Sequence, residues 1–364
     1  MDLPVLSPSK HQHSAHKYSS GVEGMSAQRF DNTVAVDNFG RRITYLRLAV
    51  TDKCNLRCTY CMPENIRFVN KTKLLTDNEI LRIVSVCAGF GISKVRLTGG
   101  EPFLRPHLLE LIAAIKHVRG IEEVHITTNG VGVADKVQDL KRLGVASVNL
   151  SMDSFDKQRF KELTRRDEFE SVQATFHELL AANIPLRVNA VVMDGKNTDD
   201  IISMAELTRL YDFDMRFIEE MPFNGASKHS NALLAWNHAA IETHLRSYFP
   251  HLQAEGREQG GAGTAELFRV PEYKGRIGII AGFSRTFCGA CNRIRMTAQG
   301  TLKTCLYDNG VLDVRGLMRE GASDDALRSH LLNAIAHRPK DGIEAEQLSH
   351  SHGELFDSMS VIGG

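Results

Sequence analysis

"ITYLRLAVTDKCNLRCTYC", residues 43–61, runs from a β-rich segment straight into three cysteines. Ile43 to Val50 carry β-branched and aromatic side chains at the density of a strand, and Cys54, Cys58 and Cys61 follow at C-x3-C-x2-C spacing. A strand whose C-terminal end opens onto a ligand-bearing loop is the arrangement of enzymes built from parallel βα units. Their chemistry gathers at that rim of the sheet.

Downstream the same rhythm repeats. Further β segments read "KVRLT" (94–98), "EVHIT" (123–127), "ASVNLS" (146–151), "LRVNAVV" (186–192) and "DMRFIE" (214–219). Between the strand at 43–50 and that at 94–98, Thr76 and Glu79 form a capping box, apolar residues recur at 80, 83, 84, 87 and 88, and Gly89 and Gly91 end the helix. Other helical patterns begin near Pro106, Ala134, Glu170 and Thr198. Strand–helix alternation implies a parallel sheet joined by right-handed crossovers. Six such units without a dinucleotide fingerprint predict an α/β fold, an incomplete (β/α)6 TIM-like barrel, over residues 41–225. After residue 221 the alternation is lost. A helical segment at 232–247, the glycine-rich "EGREQGGAGT" and the short β segments "RIGIIAGFS", "RIRMT" and "TLKTCL" predict a smaller C-terminal α+β module over 226–364. Residues 1–40 read as a flexible arm whose His11, His13 and His16 belong to a solvated tail, with metal binding as the alternative.

Composition narrows the function. Lys plus Arg and Asp plus Glu number 44 each, so no overall field favours nucleic acid or an anionic membrane. No apolar run is long enough to span a bilayer, and the N-terminus lacks the apolar core of a signal peptide. The seven cysteines are an odd count, and six of them fall into two triplets, which points to reduced thiols in a cytoplasm. The seventh, Cys87, shares a helical face with Ile80, Ile83 and Val84 and reads as buried filler.

A single loop bearing three thiolates can wrap one face of a cubane [4Fe-4S] cluster and leave the fourth iron open to an exogenous ligand. A structural zinc site completed by a distant His or Cys is the alternative. Cys288, Cys291 and Cys305 form the second triplet once "RIRMT", "AQG" and "TLKTC" are folded as a hairpin centred near Ala298. It reads as a second open cluster, or as a three-cysteine zinc site finished by His. Arg293 and Arg295 project from one face of that hairpin, and Lys94 and Arg96 from one face of the second strand. Arg47, Arg187 and Arg216 lie on three further strands. Singly each reads as a structural ion pair; together, pointing into a barrel, they call for a polyanion such as a nucleotide triphosphate.

The cysteine spacing, with Tyr60 before the last thiol, resembles the radical S-adenosylmethionine enzymes, and Gly99-Gly100-Glu101-Pro102 resembles that family's glycine-rich segment. With "FCGACNRIR" (287–295) and the terminal "MSVIGG" (359–364), the chain from about Arg41 to Gly364 closely resembles the GTP 3′,8-cyclases of molybdenum cofactor biosynthesis. That resemblance implies two [4Fe-4S] clusters, on Cys54, Cys58 and Cys61 and on Cys288, Cys291 and Cys305, with S-adenosylmethionine contacted by Tyr60, Gly100, Ser151 and Met221. It implies GTP bound by Arg47, Lys94, Arg96, Thr127, Arg187, Arg216, Arg293, Ile294 and Arg295, and gives Arg295, Gly363 and Gly364 a catalytic part. Position 187 is Lys in the family pattern; Arg keeps the charge but changes reach. The implied reaction removes the ribose 3′ hydrogen of GTP and joins that carbon to C8 of the guanine. The implied partners are GTP, an electron donor such as flavodoxin or ferredoxin, the next pathway enzyme, cyclic pyranopterin monophosphate synthase, and a second copy in a homodimer. A radical enzyme modifying a peptide, and a non-catalytic zinc-stabilised binding module, are the competing readings.

Overall fold

The computed structural model describes residues 34–221, 235–257 and 263–350. Six strands occur in chain order, β1 (Tyr45–Ala49), β2 (Lys94–Thr98), β3 (Glu123–Thr128), β4 (Ser147–Ser151), β5 (Leu186–Val192) and β6 (Asp214–Glu219). Each is parallel to the next, as right-handed βα units require. The helices between them are α1 (Asp77–Ala88), α2 (Leu108–Lys116), α3 (Val137–Arg142), α4 (Lys157–Thr164), α5 (Phe169–Ala181) and α6 (Asp200–Leu210). The α1 capping box forms in both directions, and Ile80, Ile83, Val84 and Cys87 are its buried face. Helix α4 has no counterpart in the sequence reading. Only Phe160 and Leu163 are apolar in "KQRFKELT", too few to make a stripe, and the helix is started by Asp156, which accepts from the Arg159 N–H at 2.8 Å.

The remaining elements are α7 (His238–Tyr248), β7 (Gln253–Arg257), β8 (Ala265–Arg269), β9 (Arg276–Ile280), β10 (Arg293–Met296), β11 (Thr301–Lys303), β12 (Leu312–Asp313), α8 (Val314–Arg319), α9 (Asp324–Ala336) and α10 (Gly342–His350). Their strands do not form a sheet of their own. β9 lies parallel against β6 and β10 parallel against β1, so the six-stranded core is extended at both edges, in the order β12-β11-β10-β1-β2-β3-β4-β5-β6-β9-β8-β7. The C-terminal module thus extends the barrel wall on either side.

The β10–β11 hairpin pairs Arg295 with Lys303 and Met296 with Leu302, which centres it on Gln299, one residue beyond the expected Ala298. Gly300 sets this: its N–H returns to the Thr297 carbonyl at 2.9 Å and its φ is +85°, a conformation glycine reaches without strain. The last residues of the expected arm are also fixed. Ala35 donates to the Phe90 carbonyl at 3.0 Å, and Asp37 grips Arg41 at 2.6 Å. His11, His13 and His16 lie outside the described residues.

Strand alternation sorts the sheet into two faces. Leu46, Leu48, Val95, Leu97, Val148 and Leu150 are fully buried in the main hydrophobic core. The intervening positions carry Arg47, Arg96, His125, Ser147 and Asn149, an inner face that no apolar core explains. Among the described residues no helix is long and apolar enough to cross a membrane.

Candidate active site

The first cysteine loop leaves the C-terminal end of β1 and is held from three sides. Gly100 donates to the Thr51 carbonyl at 2.8 Å and Glu101 to that of Lys53 at 2.7 Å, so the end of β2 lies directly against the loop's approach. A Cβ on Gly99 or Gly100 would collide with the carbonyl oxygens of Thr51 and Lys53. The glycine pair is therefore needed by backbone packing, whatever ligand it also meets. On the other side Arg57 and Thr59 donate to the Thr164 and Leu163 carbonyls at the end of α4, each at 2.9 Å. Behind the loop the fully buried Glu101 accepts from Thr128 Oγ1 at 2.8 Å and from the Asn129 N–H at 2.7 Å, and Asn129 Nδ2 reaches Cys54 Sγ at 3.5 Å. Burial pushes the Glu101 carboxyl up to about 7.

None of the three cysteines is in a disulfide, and all are partly buried. Burial, reinforced by Asp153 and the two neighbouring thiols, drives Cys58 well above the ordinary thiol range. The loop opens on a cavity of about 190 Å³ that is also lined by Tyr60, Gly99, Gly100, Ser151, Asp153, Asn189 and Met221. Tyr60 donates its hydroxyl to Asp153 Oδ2 at 3.1 Å.

The second triplet is assembled from a short turn, Cys288–Ala290, from Cys291 two residues before β10 and from Cys305 two residues after β11. Asp308 shapes its last corner by accepting from the backbone N–H of Thr304 at 2.7 Å and of Cys305 at 2.8 Å. Arg338 donates to the Cys291 carbonyl at 3.1 Å and to its Sγ at 3.5 Å. Burial pushes the Cys291 thiol up, but Arg293 and Arg338 outweigh it and bring it down to about 6; Cys305, buried beside Asp308, rises to about 11. Its cavity, about 160 Å³, shares Asn189, Ile218 and Met221 with the first.

Between the triplets and below them runs a row of register partners across five strands: Arg295, Arg47, Arg96, His125 and Ser147. Arg187 follows beside Asn149, and Arg216 beside Asn189. A third cavity of about 280 Å³ is lined by Arg47, Lys94, Arg96, Arg187, Arg216 and Arg293 among others, and shares Arg47, Arg216 and Arg293 with the second. Burial and then Arg295 hold the Arg47 guanidinium well below its ordinary range, with Arg96 and Arg293 adding to the effect. So much like charge in a desolvated space favours an anion there.

The donor set of each site fits an iron–sulfur cluster: three cysteines line a cavity with room for a further ligand. A cubane bound by three thiolates keeps one iron open to such a ligand. Buried Oδ1 atoms of Asn149 and Asn189, with no hydrogen-bond partner among the described residues, supply polar contacts for a ligand in the adjoining cavities.

The chain's relatives agree. The Radical SAM superfamily matches residues 48–208, and Molybdenum Cofactor Synthesis C matches residues 213–343. A GTP 3′,8-cyclase of Clostridium perfringens is 38% identical over 305 residues, covering 84% of this chain and 93% of that protein. The chain belongs to the GTP 3′,8-cyclase family of radical S-adenosylmethionine proteins. Human molybdenum cofactor biosynthesis protein 1 is 38% identical over 293 residues, 80% of this chain, and the chain spans about half of that relative's length, 45%. The fold is also that of Streptococcus suis SuiB bound to S-adenosylmethionine, with a TM-score of 0.58 at 15% identity over 85% of this chain and 67% of that one.

Of the residues that the cyclase resemblance singled out, Tyr60, Gly100, Ser151, Met221 and Thr127 line the first cavity. Arg47, Arg216, Arg293 and Arg295 line the second, and Lys94, Arg96 and Arg187 the third. Ile294 does not join them: β10 alternates, and its side chain is fully buried in the hydrophobic core opposite Leu46. Gly363 and Gly364 lie outside the described residues. The ion-pair reading holds in part, since Arg216 donates to Asp214 at 2.9 Å and Lys94 pairs with Glu123 at 2.8 Å. His125, Ser147 and Arg338 went unnoticed because only strand register and tertiary packing bring them to these cavities.

Proposed function

We propose that the chain is a GTP 3′,8-cyclase, forming (8S)-3′,8-cyclo-7,8-dihydroguanosine 5′-triphosphate in the first step of molybdenum cofactor biosynthesis. The observation that supports this most strongly is the in-register row of arginines lying between two cysteine triplets whose cavities adjoin.

Cys54, Cys58 and Cys61 would hold one [4Fe-4S] cluster and Cys288, Cys291 and Cys305 the other. S-adenosylmethionine would lie against Tyr60, Gly100, Ser151 and Met221. When bound, the first cluster and S-adenosylmethionine supply a 5′-deoxyadenosyl radical able to remove the ribose 3′ hydrogen of GTP. The chain's own part is positioning. Arg47, Lys94, Arg96, Arg187, Arg216, Arg293 and Arg295 take the triphosphate through forked, charge-assisted hydrogen bonds, and the Cys288 side of the chamber receives the guanine. Held at both ends, GTP keeps C3′ and C8 within reach of each other, which replaces an entropic barrier by binding energy. Electrons come from a low-potential donor such as flavodoxin or ferredoxin in a cytoplasm, and the product passes to cyclic pyranopterin monophosphate synthase.

Anaerobic incubation of the iron-loaded protein with S-adenosylmethionine, dithionite and GTP tests this. The expected result is one 5′-deoxyadenosine for each cyclised nucleotide; consumption of S-adenosylmethionine with GTP returned intact contradicts it. A peptide-modifying radical enzyme, the nearest rival, has no use for the arginine row.

A further inference from the structure

Ser147 ties the basic face of the sheet together. Its Oγ lies 2.7 Å from Arg187 Nη1, 3.4 Å from Arg96 Nη2 and 2.7 Å from His125 Nδ1. A guanidinium can only donate, whereas a hydroxyl has one hydrogen and two lone pairs. With both lone pairs occupied by arginines, the serine hydrogen goes to His125, so Nδ1 is the unprotonated ring nitrogen. The ring proton then sits on Nε2 and is donated to Glu123 Oε2, 2.8 Å away. Glu123 Oε2 also receives Lys94 Nζ at 2.8 Å. Every donor along Glu123, His125 and Ser147 meets an acceptor, so the direction of the chain is fixed.

The two links nearest the arginines are buried, Ser147 at 2% exposure and His125 at 5%, whereas the Glu123 end reaches solvent. Burial first, and then Arg96, hold the His125 imidazole down to about 3, in keeping with a neutral ring that accepts at Nδ1. All three residues line the 280 Å³ cavity together with Arg96 and Arg187. Two guanidiniums side by side repel, and a shared neutral acceptor is a means of setting both planes without adding a counter-charge between them; the Asp214 carboxylate stands off at 3.7 Å from the Arg187 Nε. A carboxylate at position 147 would orient them equally well but would oppose an incoming anion. Arg96 is further steered by Tyr45 Oη at 2.5 Å and the Ile126 carbonyl at 2.9 Å.

We propose that Ser147, locked by His125 and Glu123, is a positioning residue that presents Arg96 and Arg187 as a preset pair to the polyphosphate end of the substrate. This rests on the nucleotide reading given above. It makes Ser147 and His125 determinants of affinity for the phosphates and leaves recognition of the base to the other end of the chamber.

The test uses the anaerobic, cluster-loaded full chain. Equilibrium binding of GTP and of guanosine is measured for the wild type and for Ser147→Ala, His125→Leu and His125→Gln. Ser147→Ala and His125→Leu should weaken GTP about tenfold, the scale of one charge-assisted hydrogen bond, and leave guanosine unchanged. KM for GTP should rise with kcat little altered. His125→Gln, whose amide can accept from Ser147 and donate to Glu123, should keep most of the GTP affinity. In the wild type, nitrogen NMR of labelled histidine, with the His125 signals identified by their loss in His125→Gln, should show that imidazole neutral and protonated at Nε2 alone. GTP affinity unchanged in Ser147→Ala, or a protonated Nδ1 on His125, overturns the relay while leaving the nucleotide reading intact. No preference for GTP over guanosine in the wild type overturns the nucleotide reading itself, and with it the purpose assigned to the pair.

Discussion

Arg47 and Arg295 are register partners on adjacent parallel strands, one from the first βα unit and one from the C-terminal extension of the sheet. Arg96 stands on the other side of Arg47. Three like charges abreast on a desolvated face cost folding free energy and gain binding free energy. The same residues therefore oppose stability and serve the substrate.

Arg47→Met should show both effects. Thermal unfolding of the nucleotide-free protein should move up by about 1 °C, corresponding to roughly 1 kcal/mol, while KM for GTP rises about tenfold or more. Scanning calorimetry and steady-state kinetics on one preparation check it. A lowered midpoint with unchanged KM would mean that Arg47 is an ordinary structural cation.

The two triplets should load independently. The wild type should carry about eight irons and eight sulfides per chain, and replacing Cys54, Cys58 and Cys61 together by Ala should leave about four of each. The complementary variant at Cys288, Cys291 and Cys305 should do likewise. Iron and sulfide analysis under anaerobic conditions reads this directly, and zinc without sulfide at either triplet would show a structural site instead.

Gly100 holds the first loop by letting two backbones meet. Gly100→Ala should lose iron from the first cluster selectively and unfold several degrees lower. Cys87→Ala, which removes packing from the buried face of α1 and touches no ligand role, is the control and should unfold lower yet retain all its iron. Equal iron retention in the two variants would show that the Thr51–Lys53 approach is not what shapes the loop.

His125 gives a pH dependence of stability. Burial and Arg96 put its folded pKa at about 3, below the ordinary 6.5, with Glu123 pulling the other way. The unfolded chain therefore binds this proton more readily. The stabilisation is present above about pH 6.5 and is lost as pH falls toward 3. Between pH 6.5 and 4.5 the unfolding midpoint of the wild type should fall more steeply than that of His125→Gln. Parallel curves would mean that the ring protonates freely in the folded protein.

Much of this was legible in the sequence because parallel strands buried against helices leave dense β-branched runs. "KVRLT", "LRVNAVV" and "DMRFIE" became strands with the bounds read from them. The loop cysteines were legible because one short segment carries them all. Less could be read where partners come from distant segments. His125 looked like one more strand residue, and only cross-strand register puts it opposite Ser147. Arg338 follows α9, and only tertiary packing brings it to Cys291. The C-terminal strands were expected as a separate module because sequence order does not reveal that β9 and β10 close onto opposite edges of one sheet. Ile294 illustrates the same limit: it sits between two site arginines in sequence, and strand alternation turns its side chain to the opposite face, toward the core.

The most direct test is hydrogen transfer from the ribose. GTP deuterated at C3′ is turned over anaerobically and the 5′-deoxyadenosine by-product is weighed by mass spectrometry. One deuterium in that by-product is the predicted result; unlabelled 5′-deoxyadenosine, with the label still in the recovered nucleotide, would contradict the account.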